Sequence, residues 1–159
     1  MEEEGLKERV LGKLQKLSSR AEYCTGDIRR KALKALEGDS EAAEWVVSRL
    51  VEEKYVDDLR YASAFSREKA SIQGWGPVKI RFQLRSKGIS DDVISEALGE
   101  VDSDRASSRL EKLLAEKYRT LAGDPAAKLK LLKFALSRGY DYDTLRPVVE
   151  EIVAPDKSN

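Results

Sequence analysis

The chain of 159 residues contains no histidine and one cysteine. The first absence removes the commonest general base, the usual catalytic triads and most transition-metal sites. The second excludes an internal disulfide. Cys24 is read as a small packed residue, because a free cysteine usually behaves as a buried small hydrophobe. No apolar run is long enough to cross a bilayer, and the opening MEEEGLKERV is acidic, unlike a secretory signal. These features predict a soluble, cytoplasmic protein without a membrane partner. Neither sign of charge is in excess, with 29 basic and 29 acidic residues. Proline (4) and glycine (10) are scarce and stand at apparent element boundaries.

What remains is a helical composition rich in Leu, Ala, Lys, Arg and Glu. Charged residues make up 36% and hydrophobic ones 41%, enough for a core but not a thick one. Apolar spacing predicts helices over 6–20, 27–37 and 40–54, with Gly38 ending the second and Asp39 or Ser40 capping the third. Asp57 and Asp58 precede a fourth helix whose buried set is read as Tyr61, Ala62, Phe65 and Ile72. Gly74 breaks it, and Gly76-Pro77 opens a fifth, since proline at the first helical position loses no helical bond. Ile80 and Leu84 lie one turn apart on that helix, with Phe82 on another face. Gly88 closes it in the manner of a residue just past a helix end. A sixth helix begins at Ser90-Asp91-Asp92 and a seventh runs from 103 to 121. An eighth opens at Asp124-Pro125, with Leu129, Leu132, Phe134 and Leu136, and ends at Gly139. A ninth follows a cap at Asp141 or Asp143. The tail, 154–159, is expected to be disordered.

Terminating glycines recur at Gly38, Gly88 and Gly139, intervals of 50 and 51 residues, and Gly26 and Gly76 are also 50 apart. The chain therefore reads as an elongated all-α array of three tandem three-helix repeats, at 1–56, 57–101 and 102–153. Each repeat is too small to bury a substantial core alone, so neighbours are expected to stack. Within each repeat the middle helix is basic: Arg29, Arg30, Lys31 and Lys34; Lys79, Arg81, Arg85 and Lys87; Lys128, Lys130, Lys133 and Arg138. One such helix is ordinarily a solvated face with weak ion pairs. Three in series favour a row of basic ridges facing nucleic acid or an acidic protein groove.

The segment Tyr55-Val56-Asp57-Asp58-Leu59-Arg60-Tyr61-Ala62 resembles the (Tyr/Phe)-(Leu/Ile)-(Asp/Asn)-Asp-x-Arg-(Phe/Tyr)-Ala motif of the RecX family. Those proteins are bacterial regulators of the recombinase RecA. Gly74-x-Gly76-Pro77-x-Lys79-Ile80 and Leu84-x-x-Lys87-Gly88-Ile89 match that family's following segment in order and spacing. Trp75 stands where the family often has a basic residue, and Gln83 where it often has glutamate. The resemblance implies a curved clamp of three-helix repeats lying in the groove of the RecA–single-stranded DNA filament. It implies suppression of ATP hydrolysis and strand exchange in DNA repair and recombination, and promotion of filament loss; no cofactor and a monomeric state are expected.

Beside that resemblance, the residues divide into two sets. Tyr55, Asp57, Asp58, Arg60, Tyr61, Ala62, Gly74, Gly76, Pro77, Ile80, Leu84 and Gly88 are read as carrying the fold. Trp75, Lys79, Arg81, Arg85, Lys87, Arg29, Arg30, Lys34, Lys128, Lys130 and Lys133 are the candidates for contact with the filament or with DNA. Arg81 and Arg85, one turn apart, rank first among them. Trp75 reads either as a partner anchor or as a ring tucked over the core, and Trp45 as core. Adjacent Asp57 and Asp58 suit a helix cap far better than a metal pair. No catalytic constellation is visible. The alternative to a RecA regulator is a repeat protein that binds single- or double-stranded DNA directly; a scaffold or an enzyme fits less well.

Overall fold

The computed structural model describes residues 2–154, with side chains from Gly5 onward. Among the described residues it holds nine α-helices and no strand: α1 Glu2–Arg20, α2 Thr25–Ala35, α3 Ser40–Glu52, α4 Asp58–Ser71, α5 Pro77–Ser86, α6 Asp91–Gly99, α7 Ser103–Thr120, α8 Ala127–Ser137 and α9 Tyr142–Val153. The expectation for the tail falls, from residue 155 on, outside the described residues. The chain divides into two compact units, Met1–Ala64 with Leu84–Ala97, and Phe65–Gln83 with Leu98–Asn159.

In the first unit, α1, α2 and α3 close around Val10, Leu14, Ile28, Ala32, Val46, Val47 and Leu50. These positions recur at helical spacing, so each helix buries one stripe. Trp45 packs against this core, with the Lys7 and Arg49 cations 4.5 and 5.3 Å from its ring centroid. Asp39 caps α3 by accepting from the Ala42 N–H. α2 starts at Thr25, two residues ahead of the expected Asp27, with fully buried Cys24 as its N-cap. It also ends early, at Ala35, because Glu37 and Gly38 are both left-handed and the Gly38 N–H turns back to the Leu33 carbonyl.

The second unit has its own core of Leu110, Leu114, Leu131, Ala135, Leu145 and Val149, shared by α7, α8 and α9. The eighth helix corrects the sequence reading. Leu131 and Ala135 are buried, whereas Leu129 and Leu136 are exposed. Asp124 does not open the helix but holds the turn before it, accepting from the Ala126 N–H. Asp141 caps α9 as expected, through the Thr144 N–H.

Helix α4 departs most from expectation. Ile72 is 62% exposed rather than buried, because α4 ends at Ser71 and the helical register no longer directs the next side chain. The buried face of α4 is built from small residues, the expected Ala62 with Ser63, Ser66 and Ala70, while Tyr61 and Phe65 are half-buried.

Candidate partner-binding surface

The Tyr55–Ala62 motif proves to be a set of ties within the first unit. Asp57 accepts from the Arg60 N–H at 3.0 Å and so caps α4, its own helix. Asp58 reaches elsewhere: its Oδ1 accepts from the Thr25 N–H at 2.7 Å and its Oδ2 from the Thr25 hydroxyl at 2.8 Å, closing the start of α2. Arg60 donates to the carbonyls of Lys54 and Tyr55 in the turn after α3, and its Nε to both Glu22 carboxylate oxygens. Lys54 is left-handed, so the guanidinium steadies a turn that carries backbone strain.

Two close approaches fix the ends of α5. In the first unit a Cβ on Gly26 would stand 2.2 Å from the Lys87 carbonyl oxygen, so only glycine lets the exit of α5 reach the start of α2. Beside it the Lys87 ammonium donates to Asp27 at 3.1 Å, and Arg30 meets the same carboxylate oxygen at 2.6 Å. Burial would push the Asp27 carboxyl up. Hydrogen bonds from Cys24 and Lys87, with the Lys87 charge, outweigh that and hold it below its ordinary value. Burial would lower the Lys87 pKa; the Asp27 hydrogen bond and the neighbouring charges raise it. In the second unit the Gly76 and Val78 N–H groups donate to the carbonyls of Arg138 and Gly139 at 2.6 and 2.9 Å. The free N–H groups opening α5 thus meet the free carbonyls closing α8.

The candidate contact residues separate into tied and open ones. Lys87 is spent on Asp27, Arg29 on Glu44 and Lys130 on Asp124. Arg85 pairs with Asp91 at 2.6 Å, but both side chains are exposed and the pair is readily exchanged for solvent or a partner. Arg30, Lys34 and Lys87 come together with Tyr23, Asp27 and Lys31 around one shallow depression. Trp75 is half-buried, edge-on to Phe65, with Lys69 and Lys79 4.8 and 4.3 Å from its centroid. Lys34, Lys128 and Lys133 are exposed and form no ion pair with another described residue. Arg81 is half-exposed on α5.

The sequence reading placed Phe82 on a second face of α5 but did not count apolar residues among the contact candidates beside Trp75. Val78 and Phe82 on α5 are 56% and 68% exposed, and Leu129 and Leu136 on α8 are 54% and 40% exposed. On each helix these residues lie opposite the buried pair, Ile80 and Leu84 on α5, Leu131 and Ala135 on α8. The signal was available: two apolar sets on opposite sides of a short helix cannot both face one core. On α2 the side opposite Ile28 and Ala32 carries Arg30 and Lys34, with no apolar anchor. The large apolar residues exposed among those described, Val51 apart, all belong to the second unit. No group of three or more His, Cys, Asp or Glu among the described residues is placed to hold a metal, and no described helix is long and apolar enough to cross a membrane.

Comparison with known proteins agrees with the motif. A family model described as RecX, second three-helix domain, matches residues 57–98. A protein named Regulatory protein RecX from Prosthecochloris aestuarii is 36% identical over 133 residues, spanning 83% of this chain and 85% of that one. Another of that name from Clostridium tetani is 30% identical over 122 residues, 74% of this chain and 56% of the relative. The chain thus spans about half the length of the clostridial relatives it matches, 50% to 56%. A crystal structure of a regulatory protein RecX superposes with a TM-score of 0.80 at 22% identity, covering 90% of this chain and 71% of that one. RecX from Lactobacillus salivarius gives 0.78 at 17% identity, covering 92% and 96%, and at such identities the likeness is one of fold. With the sequence identity extending over most of the Prosthecochloris relative as well as most of this one, the chain belongs to the RecX family.

Proposed function

We propose that this protein is a non-enzymatic regulator that docks on the RecA–single-stranded DNA filament and suppresses its ATPase and strand-exchange activities. The observation that carries this reading is the pairing of exposed apolar side chains with cations on α5 and α8. Phe82 and Val78 stand among Lys79, Arg81 and Arg85, and Leu129 and Leu136 among Lys128 and Lys133. An exposed ring such as Phe82 beside cations would also suit bare DNA, but a DNA surface gains little from exposed Val78, Leu129 and Leu136. A protein groove lined by apolar and acidic groups rewards both, because apolar anchors at the centre of an interface supply most of its affinity while charges set approach and register. The cognate RecA filament is the partner implied by the RecX motif at Tyr55–Ala62. On this reading the Tyr55–Ala62 residues hold the scaffold and do not touch the partner.

The test is the single-stranded-DNA-dependent ATPase of the cognate RecA. Addition of this protein at or below equimolar ratio lowers the steady-state rate and shortens filament lifetime. Unchanged ATPase, strand exchange and filament lifetime would rule the proposal out.

Direct DNA binding is the second reading, favoured by the depression that gathers Tyr23, Arg30, Lys31 and Lys34. It predicts affinity that falls steeply with salt, because each phosphate contact releases counterions.

A further inference from the structure

The second unit contains a cleft of about 310 Å³ that the proposed filament surface does not use. Its apolar lining comes from Trp75, Ile80, Leu98, Val101, Tyr140 and Val148. Ile80 and Leu110 are nearly fully buried at its floor. Polar groups enter from α7 and α9 at Ser103, Ser107, Glu111 and Thr144. The volume lies at the lower end of the roughly 300–1,000 Å³ typical of ligand pockets, room for one or two side chains.

The one charged side chain among the lining residues is a carboxylate, opposite in sign to the basic helices. Glu111 is an exposed carboxylate on the cleft wall. The short segments that supply Val101, Ser103 and Thr144 also carry exposed Glu100, Asp102, Asp141 and Asp143. Asp102 and Asp141 cap α7 and α9 by accepting from Arg105 and Thr144 N–H groups. For Asp141 that backbone bond holds the carboxyl below its ordinary pKa, so the cap keeps its charge. The cations at this cleft, Lys69 and Lys79, are drawn over the Trp75 ring. Arg105, Arg109 and Lys112 stand with Asp104 and Ser71 around a separate depression.

We propose that this cleft is a docking site for a basic segment of a partner protein, one that inserts an aromatic or aliphatic side chain flanked by Lys or Arg. Burying the apolar side chain supplies the attraction, at roughly 25 cal/mol per Å² removed from water. The acidic rim selects cationic flanks and repels both nucleic acid and acidic peptides. Ile80 faces the cleft while Phe82 lies on the other side of α5, so a partner here leaves Val78 and Phe82 exposed.

The experiment uses the full chain with Trp45→Phe, which leaves Trp75 as the only tryptophan and places the reporter in the cleft. Three synthetic pentapeptides are titrated: Arg-Lys-Phe-Lys-Arg, Arg-Lys-Ser-Lys-Arg and Glu-Asp-Phe-Asp-Glu. Saturable change in Trp75 emission is expected with the first, at least about ten-fold tighter than with either control. Glu111→Lys should weaken it about five-fold or more, and Ala106→Leu, which fills the cleft, should abolish it. Amide shifts of Val101, Ser107 and Thr144 in the unaltered chain give the same reading should a variant fail to fold. Equal binding of the serine or acidic peptide, no saturable response, or indifference to Glu111→Lys would overturn the proposal. So would tighter binding of toluene than of the basic peptide, or self-association that Glu111→Lys abolishes and the peptide cannot displace; these would assign the cleft to a small apolar ligand or to a second copy of this chain.

Discussion

Asp58 caps a helix that is not its own, taking the Thr25 N–H at 2.7 Å and the Thr25 hydroxyl at 2.8 Å while its neighbour Asp57 caps α4. Two adjacent aspartates therefore do different work, one local and one across 33 residues of chain. Asp57→Ala should cost about 0.5–2 kcal/mol, the loss of an ordinary N-cap. Asp58→Ala leaves two donors of Thr25 without a partner and should cost about 1–3 kcal/mol. Urea denaturation of a double-mutant cycle separates them. Asp58→Ala should be strongly non-additive with Thr25→Ala, and Asp57→Ala additive with it. Additivity of the Asp58 and Thr25 changes would contradict the assigned bond.

The glycines at the two junctions are predicted to be intolerant for steric reasons. A Cβ on Gly26 would lie 2.2 Å from the Lys87 carbonyl oxygen, and one on Gly76 would lie 2.3 Å from that of Gly139. Backbone cannot step aside as a side chain can, so Gly26→Ala and Gly76→Ala should each cost about 1–3 kcal/mol or more. Gly12 lies inside α1 with nothing within 4 Å of a built Cβ. Gly12→Ala should instead stabilise the protein, by about 0.5–1 kcal/mol. Thermal melts of the three variants are the check, and equal effects at Gly12 and Gly76 would refute the junction.

Asp27 and Lys87 give the fold a defined response to acid. The Asp27 carboxyl is held below its ordinary value of 3.8 in the folded protein. Its contribution is therefore complete above that value and disappears as pH falls through the lowered folded pKa. Lys87 is raised above 10.5, so its share is present below 10.5 and is lost as pH rises through the folded pKa. Asp27→Asn should destabilise by a constant amount from neutral pH down to about 5, and the gap from the unaltered protein should close on further acidification. A gap that widens below pH 4 has the wrong sign for this account.

Buried hydroxyls on α4 supply a test in the stabilising direction. Ser63 and Ser66 are buried, and their Oγ atoms find no partner among the described residues. A buried hydroxyl without a partner costs more than a methyl group in the same place. Ser63→Ala and Ser66→Ala should leave stability unchanged or raise it, by up to about 1 kcal/mol each. A fall of more than about 1 kcal/mol would show that the hydroxyls are bonded in solution.

The elements themselves were legible because their punctuation is local. Gly88 and Gly139 are left-handed just after α5 and α8, and Asp39, Asp57 and Asp141 cap the helices that follow them. The 50-residue spacing of Gly26 and Gly76 was less informative than it looked. Gly26 sits inside the first turn of α2 while Gly76 precedes α5, so helix starts and buried residues (Ile28, Ile80) are offset by 52. Faces were harder to assign than elements. α4 buries small Ala and Ser side chains, which a search for large apolar residues passes over. Phe82 was legible on a second face of α5, but its outward neighbour Val78 is passed over by a reading led by charge. Partners remote in sequence, such as Lys87 and Asp27 across 60 residues, leave no periodic trace at all.

The apolar and basic sides of α5 and of α8 are proposed to dock on a protein filament. The most direct test of this docking compares binding to the cognate RecA filament on single-stranded DNA with binding to the same DNA bare, between about 50 and 200 mM salt. The unaltered protein should bind the filament with a shallow salt dependence. Val78→Ser with Phe82→Ser should weaken that binding at least about ten-fold while helicity is unchanged. Equal affinity for bare DNA, a steep salt slope and indifference to the Val78 and Phe82 changes would contradict it.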